Sequence, residues 1–306
     1  MDALNRELSV EAAPAWKKPL KPDRHGFVRC MSTSGFHRVA YTDWGPLDAA
    51  ETVACVHGLT RQGRDFDLLA RSLATAGIRV VCPDLVGRGL SGWMPNVLDY
   101  VFPQYCADMA TLLGSLSSSN VHWIGTSLGG IIGIVLAGLP GSPISKLVVN
   151  DVGPEVPLSA VARVDRRIAN DPSYFASLDE AELYNRRAYA ACGNLTDEQW
   201  RHFTIHSLRD DIERGRYVPL IDPKIAIAYQ WLCYYQMTLW SYWREIKTPI
   251  LAIRGEESDF VPPSLLNRMR RSAPQLQTYE VARTGHMPML MDADQIRVVE
   301  AFLQQN

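Results

Sequence analysis

Val121-His122-Trp123-Ile124-Gly125-Thr126-Ser127-Leu128-Gly129-Gly130 decides how this chain is read. A mostly apolar run stops at a Gly-x-Ser-x-Gly, and a Gly-containing apolar segment, Ile131 to Leu139, follows at once. This pattern predicts a strand, a sharp turn with Ser127 at its apex, and a helix: a nucleophile elbow. Ser127 must then occupy a strained turn so that its hydroxyl projects above the sheet edge. Glycine two positions to either side lets the strand and helix backbones approach closely enough. The helix also aims its N-terminal N–H groups at the space above the serine, where an oxyanion would develop. Gly-x-Ser-x-Gly by itself can be an incidental Gly-rich turn, so the flanking strand and helix carry the weight.

Upstream of the elbow, strands and helices alternate. Phe27 to Met31 and Arg38 to Tyr41 read as an antiparallel opening pair. Thr52 to Val56 reads as a continuous apolar run, as a strand buried on both faces should, and Ile78 to Cys82 as the next buried strand. Phe66 to Ala76 and Tyr105 to Leu116 read as helices. Downstream, Lys146 to Asn150 is a further strand ending at Asp151. The alternation then lapses between Gly153 and Lys247, where helices are expected over Val161–Ala169, Asp179–Ala191, Asp197–Ser207 and Ala226–Trp240, and no strand stands out. Asp179 and Thr196-Asp197 are the expected N-caps of two of them. Alternation resumes with a strand from Ile250 to Arg254, a helix from Pro263 to Arg271, a strand from Gln277 to Val281 and a closing helix from Asp292 to Phe302. The expectation is a mostly parallel α/β sheet with helices on both faces.

Composition narrows the class. Of 306 residues, 47 % are apolar and 21 % charged, with a formal net charge of −2. That balance allows a large core and argues against a nucleic-acid or membrane-surface partner. The six cysteines form no CxxC pair, so reduced thiols in a cytoplasm are expected. The N-terminus lacks a signal-peptide core, and no apolar run approaches a membrane span. Residues 1–24, with Pro14, Pro19 and Pro22, read as an arm outside the fold.

With the elbow, the His57-Gly58 turn after an earlier strand and a late Gly285-His286, the chain resembles the α/β-hydrolase family from about residue 26 onward. The resemblance implies an eight-stranded sheet built from residues 25–152 and 248–306, with 153–247 inserted as a helical cap. Asp84 to Ser91 is similar to the family's Asp-x-x-Gly-x-Gly-x-Ser turn and is read as structural.

Serine needs an adjacent base, itself held by an acid. Of seven histidines, His286 alone sits in a glycine-flanked loop after a late strand, where open α/β sheets place their sites. The acid should lie between serine and histidine in chain order. Asp259, after the strand Ile250 to Arg254, matches the family's usual position and is favoured; Asp151 is the rival, since some members carry the acid there. The backbone N–H groups of Leu59 and Leu128 are expected to form the oxyanion hole. His57, Gly58, Trp231 and Tyr235 are the candidate substrate contacts. The aromatic run Tyr229, Trp231, Tyr234, Tyr235, Trp240, Tyr242 and Trp243 is expected mainly to glue cap to core, one or two members facing the serine. His202 and His206 have ligand spacing, but no carboxylate pattern completes a metal site.

A serine, rather than aspartate, nucleophile disfavours epoxide opening and dehalogenation. The family's carbon–carbon bond hydrolases keep serine but typically carry a Ser/Gly-rich oxyanion loop and a tryptophan after the histidine. Here the sequence reads Leu59-Thr60-Arg61 and Met287-Pro288. The expectation is therefore hydrolysis of a small, largely apolar carboxylic ester or lactone without metal or cofactor. Carbon–carbon hydrolysis, or a receptor with little turnover, are the alternatives, and a homodimer is left open.

Overall fold

The structure, a computed structural model, describes residues 20–305 apart from 117, 119 and 233–237, and the backbone alone of 231 and 232. Its centre is an eight-stranded sheet: β1 (Arg24–Ser32), β2 (Gly35–Trp44), β3 (Thr52–Val56), β4 (Arg79–Pro83), β5 (Val121–Thr126), β6 (Ile144–Asn150), β9 (Ile250–Gly255) and β10 (Leu276–Val281). The spatial order is β1-β2-β4-β3-β5-β6-β9-β10. β1 and β2 are antiparallel, β2 meets β4 antiparallel, and every later pairing is parallel.

Strand residues alternate between two apolar layers, as the pleat requires. Trp123, Leu147, Val149 and Ile250 point into one, against α2 (Phe102–Ser115), α3 (Leu128–Gly138), α8 (Trp240–Glu245) and α9 (Pro263–Ser272). Ile124, Val148, Leu251 and Ile253 point into the other, against α1 (Asp67–Thr75) and α10 (Ala293–Leu303). β3, β4, β5 and β9 are buried along their whole length, which accounts for their mostly apolar sequences. The described end of the N-terminal arm lies on this body: Leu20 packs against the second layer, and its carbonyl accepts from Arg64.

The segment between β6 and β9 holds α4 (Leu158–Ala169), α5 (Leu178–Ala188), α6 (Asp197–Ile205) and α7 (Lys224–Leu232), followed by α8. It also holds an antiparallel hairpin, β7 (Leu208–Asp211) with β8 (Arg216–Pro219), where the sequence suggested no strand. Strands of four residues rich in charge are too short to display alternation, and Gly215 (φ 57°) turns the hairpin. The single helix expected over Ala226–Trp240 is two, α7 and α8. Ser177 rather than Asp179 caps α5, accepting from Glu180 N at 3.1 Å; Asp179 falls inside the first turn. Thr196 caps α6 in a reciprocal box with Gln199.

Candidate active site

The parallel pairing of β3, β5, β6 and β9 brings their C-terminal ends to one edge, where the candidate residues converge. Ser127 follows β5 directly, with φ 51° and ψ −113°, a conformation costing on the order of 1–3 kcal/mol. The surroundings hold it there. Ser127 N–H donates to Asn150 O at 3.0 Å, and Ile131 N–H returns to Ser127 O at 3.0 Å. A Cβ on Gly125 would overlap the Gly129 carbonyl, and one on Gly129 would overlap the Val56 carbonyl. The strand–helix crossing at the elbow therefore needs both glycines. Trp123 Nε1–H closes the crossing by donating to Gly129 O at 2.9 Å.

His286 lies in the loop after β10. Its Nε2 is 3.1 Å from Ser127 Oγ, and its Nδ1 is 2.8 Å from Asp151 Oδ2. A carboxylate offers only acceptors, so Nδ1–H donates to Asp151, and the Nε2 lone pair faces the serine hydroxyl. The imidazole stacks on Phe260, with ring centroids 3.5 Å apart and planes 8° from parallel, which limits ring rotation. Its loop is tied down from both sides. Gly285 N–H donates to Ala191 O at 2.7 Å, and Asn150 Nδ2 donates to Pro288 O at 2.7 Å. Met287, Met289 and Met291 pack on Trp200 and Phe203 of α6.

Asp151, fully buried, is the carboxylate that meets His286; the favoured Asp259 does not make this contact. Asp151 Oδ1 accepts from Gly255 N at 2.9 Å, and Oδ2 accepts from Ser258 Oγ at 2.8 Å as well as from the histidine. Asp259, next to Ser258, turns instead to Arg163 of α4, which grips it with bonds of 2.7 and 2.8 Å. Partial burial pushes the Asp259 carboxyl up, but the Arg163 hydrogen bonds and charge outweigh this and hold it below the usual range. The two carboxylates follow neighbouring parallel strands, so their side chains are separated by direction, not by distance along the sheet.

Leu59 and Leu128 line the cavity over Ser127, and Leu128 is the first residue of α3, where a helix N–H has no intrahelical acceptor. A Cβ on Gly58 would meet Ser127 Cβ at 3.5 Å, an ordinary contact. His57, expected to touch substrate, is instead buried behind this turn. Leu85 N–H donates to its Nε2 at 2.8 Å, so its Nδ1–H donates to Gly58 O at 2.7 Å. Burial pushes its pKa down to about 3. Its role here is to fasten the Gly58 turn to the Asp84 turn. Asp84 in turn accepts from Gly63 N and Leu90 N, while burial pushes its carboxyl up to about 6.

The cavity has a volume of about 150 Å³ and mostly apolar walls. Val161, Val164, Ile225, Ala228 and Tyr229 from the β6–β9 segment form one side; Phe102, Tyr105 and Ile131 form another. Of the aromatic run, Tyr229 faces the cavity, whereas Trp243 is buried on the sheet body and bonds Ser272 Oγ at 3.1 Å. Trp240 bonds Glu155 Oε2 at 2.7 Å. The Trp231 side chain and all of Tyr234 and Tyr235 lie outside the described residues. Sequence reasoning missed Phe260, Ser258 and Arg163, for which no local motif gives a signal.

His202 and His206 lie beside Asp67 at the start of α1, which supplies the neighbouring carboxylate that the sequence pattern did not reveal. Arg64 Nε already donates to both oxygens of that carboxylate, at 2.9 and 2.7 Å, so the charge of Asp67 is answered by a guanidinium. Among the described residues no helix is long and apolar enough to cross a membrane.

Comparison with known proteins agrees with the fold. The chain is 38 % identical to the 3-hydroxybutyrate-oligomer hydrolase of Cupriavidus necator, over 91 % of this chain and 97 % of that one. A crystal structure of a putative hydrolase from Rickettsia typhi superposes with a TM-score of 0.85, covering 92 % of this chain and 99 % of that chain at 26 % identity. An alpha/beta hydrolase from Novosphingobium aromaticivorans gives 0.79 over 92 % and 98 %, at 27 % identity. Residues 53–301 match the alpha/beta hydrolase family, and to that family this chain belongs.

Proposed function

We propose that the protein is a serine hydrolase of carboxylic esters, with Ser127, His286 and Asp151 as its catalytic triad. The observation that carries this reading is the hydrogen-bonded chain from Asp151 through His286 to Ser127 at the floor of an apolar cavity. Ser127 Oγ attacks the ester carbonyl as His286 Nε2 takes its proton, and the Leu59 and Leu128 N–H groups receive the oxyanion. Collapse expels the alcohol, which leaves with the proton from His286. Water then attacks the Ser127 acyl-enzyme with the same histidine as base, releasing the acid and restoring the hydroxyl. Asp151 fixes the Nδ1–H tautomer and balances the imidazolium.

Residues 153–247 act in this reading as a cap that excludes water and shapes the acyl pocket. The similarity to the C. necator protein favours short 3-hydroxyacid oligomers as the ester class, and the mostly apolar cavity walls suit their aliphatic backbone. The test is hydrolysis of p-nitrophenyl esters of graded acyl length and of the linear 3-hydroxybutyrate dimer. Ser127→Ala should lower kcat by on the order of 10⁴ or more with an unchanged Tm. A fluorophosphonate should add one phosphonyl group to Ser127. A variant keeping more than about a tenth of wild-type rate would overturn the assignment.

A further inference from the structure

Three arginines, Arg61, Arg163 and Arg167, reach the cavity above Ser127, and among the described residues no aspartate or glutamate lines it. Two of these charges are already answered. Arg61 forks onto Asp65 with two bonds of 2.7 Å, and Arg163 forks onto Asp259. Arg167, in the last turn of α4, is different. Its Nη2 donates to Thr60 Oγ1 at 2.8 Å, but its Nη1 is buried without a hydrogen-bond acceptor. The carboxylate oxygen paired with it, Asp171 Oδ2, stands 3.9 Å away, too far for a hydrogen bond. The other oxygen of Asp171 accepts from the Tyr184 hydroxyl.

The guanidinium is nevertheless held in place. It lies 4.7 Å from the centroid of the Tyr189 ring, and the Tyr189 hydroxyl shares Thr60 Oγ1 with it at 3.1 Å. Thr60 is the neighbour of Leu59, so the Arg167 head group is tied to the same turn that offers the oxyanion N–H. A guanidinium held in the wall of the cavity, with one donor that no protein acceptor meets, is costly unless a ligand supplies the missing acceptor.

We propose that Arg167 anchors a free carboxylate of the substrate, which makes the preferred substrate an acidic ester, a β-acyloxy carboxylate such as the last linkage of a hydroxyacid oligomer. The proposal rests on the ester-hydrolase reading above. A carboxylate oxygen accepting from Nη1 completes the bonding of the guanidinium, and a planar guanidinium suits a carboxylate better than a point charge does. In an oligomer the one free carboxylate lies beyond the final ester, so the anchored end sets the final linkage over Ser127. Hydrolysis then shortens the chain one hydroxyacid at a time from its acid end.

The test compares the linear 3-hydroxybutyrate dimer as free acid with its methyl ester. Wild type should prefer the acid in kcat/KM by at least about tenfold, and Arg167→Gln should erase that preference. Loss of a charge-assisted bond corresponds to a factor of about ten to a hundred. Arg167→Lys, which keeps the charge, should retain part of it. A second arm measures binding of the acid dimer by calorimetry in the Ser127→Ala protein, where the Gln substitution should weaken affinity at least about tenfold. Equal handling of acid and methyl ester by wild type, or an equal loss on both with Arg167→Gln, overturns the anchor. Ser127-dependent cleavage of p-nitrophenyl butyrate alongside either result leaves the ester-hydrolase reading standing while the anchor falls. Arg167-dependent binding without any cleavage does the reverse.

Discussion

Replacing Asp151 by asparagine tests the choice of acid at a single atom. In the wild type, Gly255 N–H points at Oδ1, while Ser258 Oγ and His286 Nδ1 converge on Oδ2. Asparagine has one carbonyl oxygen, and the backbone N–H of Gly255 cannot turn away, so the oxygen must take the Oδ1 place. The amide NH2 then occupies the Oδ2 place. Ser258 Oγ already receives the N–H groups of Phe260 and Val261 at 3.1 and 3.2 Å on its two lone pairs, so it offers the amide no acceptor, and an amide hydrogen faces Nδ1. The imidazole must then present its Nδ1 lone pair, which leaves Nε2–H pointing at Ser127 Oγ and no base for the serine. The imidazolium of the transition state also loses its counter-charge. Together these should lower kcat by on the order of 10³–10⁴, or about 4–5.5 kcal/mol of barrier. Asp259→Asn removes an ion pair whose two side chains are 41 % and 43 % exposed, worth under about 1 kcal/mol, so its effect should stay below about fivefold. The assay is p-nitrophenyl butyrate hydrolysis at pH 8, with thermal unfolding to confirm that both proteins fold. If Asp259→Asn is the more damaging of the two, the acid comes from the turn after β9 and the present assignment is wrong.

Other substitutions probe the supports. Phe260→Leu removes the ring stacked on His286 and should lower kcat about twofold to tenfold with little change in KM; a pure KM effect would mean that Phe260 serves substrate instead. Tyr229→Ala should change the ratio of kcat/KM between short and long acyl esters about tenfold, and a uniform loss across the panel would remove Tyr229 from the acyl pocket. For His57, a folded pKa of about 3 lies below its ordinary value of 6.5, so the unfolded chain binds a proton that the folded one refuses. Its contribution to stability is complete above about pH 6.5 and is lost as pH falls toward 3. Asp84, raised from 3.8 to about 6, acts oppositely: its contribution is lost as pH rises through 6. The gap in urea midpoint between wild type and His57→Gln isolates the histidine and should narrow from pH 7 to pH 4; a constant gap would contradict it.

The sheet was legible because β3, β4, β5 and β9 are buried along their whole length and so have no room for polar alternation. The elbow was legible because two close backbone approaches demand glycine at 125 and 129. The acid was not. Asp151 and Asp259 both follow strands whose ends are neighbours in the sheet, and the decision falls to side chains far away in sequence. Arg163 claims Asp259, and Ser258 turns its hydroxyl to Asp151. His57 misled for a related reason: its place in the chain is beside the oxyanion turn, but both its nitrogens face away from the cavity. Arg167 gave no signal at all, since an arginine in the last turn of a helix ordinarily answers the helix dipole. Only the assembled cavity reveals that its remaining donor is unanswered.

The bond from Gly285 N–H to Ala191 O has a mechanical consequence. Ser127 and Asp151 are carried by β5 and β6, paired through Thr126 and Asn150, so the spacing of these two residues is fixed by the sheet. His286 rides on a loop stitched to the segment that roofs the cavity, with Cys192 Sγ also 3.8 Å from the His286 carbonyl. Lifting that segment must either break the stitch or drag Gly285 with it, and Nε2 then leaves Ser127. Seating the roof and aligning the base are thus one event. In the mechanism proposed above, the arrangement would work as a clutch: with the roof lifted the serine would lack its aligned base, and with the roof seated it would have it.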